Sequence, residues 1–268
     1  MDRCLVVGVL NCTPDSFSDG GKYAGVEAAV DAGVAMAEAG ADWIDVGGES
    51  TRPGSVAVGV DEELRRVLPV IEGLKRRVDG RTRISIDTYR GETARAAIGA
   101  GASVINDISG GLLEPAILGV AAETAATIVL GHLRGVPATM MESIAFGHIV
   151  DDVVGELMAR VHAARAAGCG DVWADPGIGF GKRIEHNLAL LGRLPELCDR
   201  LEVPVMMGVS RKAFIGQLTG RAAAERQFGT AAAVTACVLA GARAVRVHDV
   251  PQMVEVVKVA AAIRAASG

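Results

Sequence analysis

Residues 84–107 read Ile84-Ser85-Ile86-Asp87-Thr88-Tyr89-Arg90-Gly91-Glu92-Thr93-Ala94-Arg95-Ala96-Ala97-Ile98-Gly99-Ala100-Gly101-Ala102-Ser103-Val104-Ile105-Asn106-Asp107. Two short apolar runs, Ile84–Ile86 and Val104–Ile105, each end in polar residues, and Glu92–Ala100 between them carries apolar residues at helical spacing. That is a strand, a crossover helix and a second strand, the connection that parallel pairing requires. The arrangement recurs outward in both directions. Val6–Leu10 ends at Asn11, Trp43–Ile44 at Asp45, Ile128–Leu130 runs toward His132, Val172–Ala174 to Asp175, Val205–Val209 to Ser210, and Val245–Val247 to His248. Eight repeats predict an α/β fold, a (β/α)8 or TIM barrel, in which every strand delivers its C-terminal end to one rim. An open doubly wound sheet is the alternative, and it usually has fewer strands at this length.

Composition agrees with one barrel domain over residues 1–268. The length suits a unit of about 250 residues, and no Pro/Gly/Ser linker or composition break divides the chain. Half of the residues are hydrophobic but only 3% are aromatic, so the core is built from Val, Ile, Leu and Ala, as strands buried on both faces require. A net charge of −5 gives no general attraction to nucleic acid or acidic membranes, so an anion has to be held by local groups. The five cysteines form no CxxC pair, and they read as free thiols in a reducing compartment. There is no basic stretch followed by an apolar signal core, and Ala231–Ala242 is too short to span a bilayer. A cytoplasmic protein without membrane or nucleic-acid partners is expected.

Between the runs, helical spacing predicts helices over Val26–Ala39, Glu62–Val78, Glu92–Ala100, Glu114–Ala125, Val150–Ala167, Leu188–Leu201, Arg226–Ala240 and Val250–Ala266. Two connections, Asn11 to about Tyr23 and Gly47 to about Gly59, exceed the usual length of about four to six residues and lie on the predicted active rim. A third rim segment, Asp175-Pro176-Gly177-Ile178-Gly179-Phe180-Gly181-Lys182, has glycines that let backbone approach a ligand. Turn-making explains its glycines but not the flanking Asp and Lys.

These rim segments resemble a known family. Asn11-Cys12-Thr13-Pro14-Asp15-Ser16-Phe17-Ser18-Asp19-Gly20-Gly21, Asp45-Val46-Gly47-Gly48-Glu49-Ser50-Thr51-Arg52-Pro53-Gly54, Asp175–Lys182, Ser210-Arg211-Lys212 and Arg246-Val247-His248-Asp249 are similar, in order, to the signature segments of the dihydropteroate synthases. The resemblance implies a TIM barrel, generally dimeric and Mg2+-dependent, that acts in folate biosynthesis and is the target of sulfonamides. It implies that 6-hydroxymethyl-7,8-dihydropterin pyrophosphate is joined to p-aminobenzoate, giving 7,8-dihydropteroate and pyrophosphate. Two other readings share the pterin pocket: a methyltetrahydrofolate-type methyltransferase, and a pterin-binding paralogue without synthase activity. The first is not expected to keep the Thr51-Arg52-Pro53-Gly54 or Asn11–Gly21 segments, and the second should have lost part of the anion site.

Residue by residue, the resemblance implies that Asp175 accepts from the guanidine-like pterin edge, as an ionised carboxylate can in bidentate fashion. Asp87 and Asn106 complete the polar edges, Lys212 reaches a ring acceptor, and Ile108 and Phe180 pack on the ring faces. Asn11, Ser18, Arg246 and His248 are placed around the pyrophosphate, with Asn11 also the Mg2+ contact. Arg246 and His248 are two apart and so share one face of a strand. Phe17, Pro53, Ser210, Lys212 and Ala213 are expected around p-aminobenzoate, and Asp15, Phe17, Thr51, Arg52, Pro53 and Lys212 make up the catalytic set. His162 and His186 read as solvated helix residues, and His132 as a residue that orients a loop. Gly131 stands where many relatives carry Met, which predicts a wall that is either roomier or filled from elsewhere. Ala213 replaces a Ser, leaving its backbone N–H to donate.

Overall fold

The computed structural model describes residues 3–13, 21–50, 57–142 and 144–266. Its strands are β1 (Leu5–Asn11), β2 (Trp43–Gly47), β3 (Arg83–Asp87), β4 (Val104–Asp107), β5 (Thr127–Gly131), β6 (Val172–Asp175), β7 (Met206–Met207) and β8 (Ala244–Val247). All pair in parallel, in the order β6-β5-β4-β3-β2-β1-β8-β7. The two ends of that order meet through a parallel bridge between Ala174 and Val205, supported by the Ala174 amide donating to the Pro204 carbonyl at 3.0 Å. The sheet therefore closes into a barrel, and the open doubly wound alternative is excluded.

The helices are α1 (Gly21–Glu38), α2 (Val60–Arg77), α3 (Gly91–Ala100), α4 (Ala116–Thr124), α5 (Ile149–Ala166), α6 (Ile184–Gly192), α7 (Leu194–Leu201), α8 (Ala213–Thr219), α9 (Gln227–Leu239) and α10 (Val250–Ala266). Two features depart from the periodicity reading. The predicted Leu188–Leu201 helix is two helices, because Pro195 near the start of α7 has no N–H to donate back to Leu191. The short α8 lies between β7 and α9 and was not anticipated, since seven residues containing Gly216 give too little periodicity to register. Helix α2 shows the local logic that places the rest: Asp61, Glu62 and Glu63 occupy its first turn and Lys75, Arg76 and Arg77 its last, matching the macrodipole. Its apolar stripe, Val67, Val70, Ile71 and Leu74, is buried against the barrel.

Strand alternation sorts side chains into two sets. Outward residues such as Leu10, Ile44, Val46, Ile86, Ile105, Ile128, Leu130, Val245 and Val247 pack under the helices in two large apolar clusters. Inward residues Val7, Trp43, Val104, Val129, Trp173, Met206 and Ala244 form a separate plug that seals the lower barrel. Trp43 and Trp173 meet edge to face at 5.1 Å in that plug. The inward positions two residues further along β2, β4, β6 and β8 are Asp45, Asn106, Asp175 and Arg246, so the interior turns from apolar to charged toward the C-terminal rim. Cys4, Cys12, Cys169, Cys198 and Cys237 are all free thiols. No described helix is long and apolar enough to cross a membrane.

Candidate active site

Strand register brings the rim residues together. Asn11 pairs with Gly47, Gly47 with Asp87, and Asp87 with Asn106, forming one rung across four strands. On the far side, Gly131 pairs with Asp175. A pocket of about 420 Å³, partly open to solvent, lies over these ends and is lined by Asp87, Asn106, Ile108, Gly131, Asp175, Gly177, Ile178, Phe180, Gly208, Lys212 and Arg246. All six residues expected around the pterin line this one pocket.

Its floor is a buried charge network. Arg246 enters from β8 and donates through Nε to Asp45 Oδ2 at 2.6 Å and through Nη2 to Asp87 Oδ2 at 2.7 Å. Asn106 Nδ2 donates to the same Asp45 oxygen at 2.9 Å. Burial pushes Asp87 up to about 7 even against the adjoining guanidinium. Burial likewise raises Asp175 and lowers Lys212 to about 8, the latter despite the opposing pull of Asp175.

The segment after β6 supplies the opposite wall. Gly177, at φ +68, turns its N–H back to Asp175 Oδ1 at 2.7 Å, and a Cβ at this position would lie 2.0 Å from the His132 carbonyl oxygen. Only glycine fits there. The turn leaves Asp175 Oδ2 facing Gly208, where a Cβ would come within 3.5 Å of it. Phe180 lies beneath Lys212, with Nζ 4.2 Å from the ring centroid, a cation–π contact that orients the amine into the pocket.

A family described as pterin binding enzyme matches residues 7–248. The chain belongs to this family. It is 45% identical to the dihydropteroate synthase of Synechocystis, over 97% of this chain and 90% of that protein. Among solved structures, Xanthomonas albilineans dihydropteroate synthase with 4-aminobenzoic acid superposes with a TM-score of 0.91 at 45% identity, covering 98% of this chain and 94% of that one. The same organism's synthase in complex with 7,8-dihydropteroate matches with a TM-score of 0.87 at 42% identity, covering 98% of this chain and 95% of that one.

In this pterin-binding enzyme the remaining expected residues fall into three groups. Asp15, Phe17, Ser18, Thr51, Arg52 and Pro53 lie outside the described residues. Ser210 and His248 are not among the lining residues and pair with each other: the Ser210 hydroxyl is 3.0 Å from His248 Nδ1 and accepts the His248 amide at 3.2 Å. Burial and the nearby Arg246 and Arg211 pull His248 down to about 4, so it is a neutral imidazole at physiological pH. Ala213 opens α8 directly after Lys212 and is exposed. His186 is not simply solvated, because its ring meets Phe146 edge to face at 5.0 Å and Nδ1 accepts the Arg183 amide.

Gly131 resolves the question of the missing side chain. A Cβ there would lie 2.5 Å from the Ile108 carbonyl oxygen and 2.6 Å from its Cα, so the wall is filled by backbone and has no room for a larger residue.

The contacts of three groups in the site do not follow from the sequence pattern. Asp45 was visible as a strand-end residue, but its service to Arg246 depends on a contact 201 residues away in sequence. Lys182 is buried among loop carbonyls. Arg90 joins the two sides of the long second loop, donating to Glu49 Oε2 and to the Val58 carbonyl, each at 2.8 Å, and to Glu63 Oε2 at 2.8 Å.

No group of three or more His, Cys, Asp or Glu able to hold a metal occurs among the described residues. The donor set instead suits a cation shared with a ligand. Around Gly47, a Cβ would lie 3.9 Å from Asn11 Oδ1 and 3.6 Å from Asp87 Oδ2, so these two oxygens flank the same gap at the rim. Mg2+ prefers few protein ligands together with water and phosphate oxygens, and one amide at this position fits that habit.

Proposed function

We propose that this chain is the synthase that joins 6-hydroxymethyl-7,8-dihydropterin pyrophosphate to p-aminobenzoate, releasing pyrophosphate and forming 7,8-dihydropteroate. The observation that carries the reading is the convergence of Asp87, Asn106, Asp175 and Lys212 on one pocket, in a chain similar over nearly its whole length to dihydropteroate synthases. In this reading Asp175 takes the donor edge of the pterin, and Asn106 and Asp87 its remaining polar edge. Lys212 donates to a ring acceptor, and Ile108 and Phe180 cover the faces.

The chemistry follows from these charges. Loss of pyrophosphate from the exocyclic methylene builds negative charge on the leaving group, and preorganised cations and donors offset it. Arg246, fixed on two carboxylates, and neutral His248, fixed by Ser210, serve that end of the pocket. Mg2+ held at Asn11 would supply further charge neutralisation to the phosphate oxygens. The arylamine nitrogen carries a free lone pair, so no strong base is needed before attack. Electron release from the dihydropterin supports cationic character at the methylene, giving an SN1-like order in which the C–O bond breaks before the C–N bond forms. Catalysis then rests on positioning and charge stabilisation.

Asp15, Phe17, Ser18, Thr51, Arg52 and Pro53 are assigned to the closing of the site around pyrophosphate and p-aminobenzoate on the strength of the resemblance. A homodimer is supported by the large apolar side chains exposed on α8, α9 and α10, Leu218, Phe228, Leu239 and Val259 among them. A cytoplasmic setting is supported by the five free thiols. The deciding experiment incubates purified protein with dihydropterin pyrophosphate and Mg2+, with and without p-aminobenzoate. Pyrophosphate release matched by equal dihydropteroate formation supports the synthase; pterin binding without either product makes this a binding barrel.

A further inference from the structure

Lys182 is the last residue of the segment that follows β6, and only 2% of it is exposed. Its Nζ donates to the carbonyl oxygens of Gly177 at 3.0 Å, Phe180 at 3.1 Å and His132 at 3.3 Å, and lies 2.9 Å from His132 Nδ1. Three Nζ protons face four acceptors, the longest contact being that to the His132 carbonyl at 3.3 Å, and a buried amine is retained only where it is so paired. With Nδ1 accepting from Nζ, the imidazole carries its proton on Nε2 and donates it to Glu156 Oε2 at 3.1 Å. Glu156 is held in turn by Arg134. The chain of contacts therefore runs from a pocket-wall segment, through a fully buried imidazole, to a carboxylate on α5.

The carbonyls that Lys182 gathers belong to the residues that shape the pterin wall. Gly177 turns its N–H onto Asp175, and Phe180 carries the ring under Lys212. We propose that Lys182 is a positioning residue for the pterin half of the reaction: by cross-linking the Gly177 and Phe180 carbonyls to His132 it holds Asp175 and the Phe180–Lys212 pair in the geometry that receives the pterin. This rests on the synthase reading and assigns Lys182 no contact with substrate. His132 and Glu156 act behind it, fixing the acceptor nitrogen.

The test is Lys182→Met, which keeps chain length and removes the donors. Calorimetry with dihydropterin pyrophosphate gives the pterin Kd, and steady-state turnover at saturating pterin gives the KM for p-aminobenzoate. A pterin Kd raised at least tenfold, with the p-aminobenzoate KM within twofold of wild type, supports the positioning role. A pterin Kd within twofold, or equal losses for both substrates, overturns it, since a merely structural residue would not split them. If Lys182→Met does not fold, Glu156→Gln decides: a pterin Kd raised about threefold with unchanged p-aminobenzoate KM supports the chain of contacts, and no change refutes it. Wild-type protein that fails to bind the pterin at all would instead remove the synthase reading.

Discussion

Replacing Asp175 by Asn changes one atom and tests the central assignment. Oδ1 of Asp175 accepts the Gly177 amide at 2.7 Å, and Oδ2 faces the pocket beside Gly208. An asparagine that keeps its oxygen on the Gly177 N–H turns its NH2 toward the pocket, so a donor confronts the donor edge of the pterin. The lost hydrogen bond to a charged acceptor is worth about 1.5–3 kcal/mol, and the buried donor left without a partner costs about 1–3 kcal/mol more. The two together come to about 2.5–6 kcal/mol, and at about 1.4 kcal/mol per decade the pterin Kd should rise about 10²- to 10⁴-fold. If the side chain flips instead, the Gly177 amide loses its acceptor and the penalty is similar. The assay is calorimetric titration with dihydropterin pyrophosphate, beside a urea denaturation curve to establish that the variant is folded. An affinity within threefold of wild type in a folded variant would refute the pairing of Asp175 with the pterin edge.

The remaining predictions concern the scaffold of the site. Gly131→Ala should destabilise the protein by about 2 kcal/mol or more, because the new methyl would press on Ile108 backbone rather than on a movable side chain; a urea midpoint equal to wild type would show that the wall is open after all. Asp45→Ala removes the acceptor shared by Arg246 and Asn106, and loss of a partner from a buried pair costs about 3–5 kcal/mol. A stability loss below about 1 kcal/mol on the same scale would mean that Asp87 alone secures Arg246. His248 is held at about 4 in the folded protein against an ordinary 6.5, so between those values the unfolded chain binds more protons. Its contribution to stability is complete above pH 6.5 and is lost as pH falls through about 4. Asp87, held up at about 7, runs the opposite way, its contribution lost as pH rises through about 7, so the two oppose each other in mildly acid solution. His248→Gln should therefore make the slope of stability against pH less positive between pH 4 and 6.5, and coincident slopes in urea titrations would contradict the neutral imidazole.

Which parts of this molecule were readable without coordinates follows from the range of the physics involved. Alternation along strands and helical spacing between them are local properties, and they marked eight strand ends and the barrel. The same alternation puts Arg246 on the inward face of β8, where it lines the pocket; His248 lies one residue past the end of that strand. Rim glycines and their flanking charges were also visible, while the residues expected around the pterin came from the family resemblance and line one pocket. The split at Pro195 was carried by a single residue within an otherwise continuous apolar pattern, and α8 was too short for any period to emerge.

What sequence could not decide is which polar group serves which. Asp45 and Arg246 are at opposite ends of the chain, and only the closing of β8 onto β1 makes them partners. His132 and Lys182 each looked like one more rim residue until the turn at Gly177 aimed their acceptors and donors at one point. Gly131 read as a gap in the wall, yet the backbone of the neighbouring strand's loop fills it. Patterns of hydrophobicity select the fold because burial is non-directional and sums over many residues. Hydrogen bonds and ion pairs depend on distances of a few tenths of an ångström, and those are set only when the whole barrel has closed.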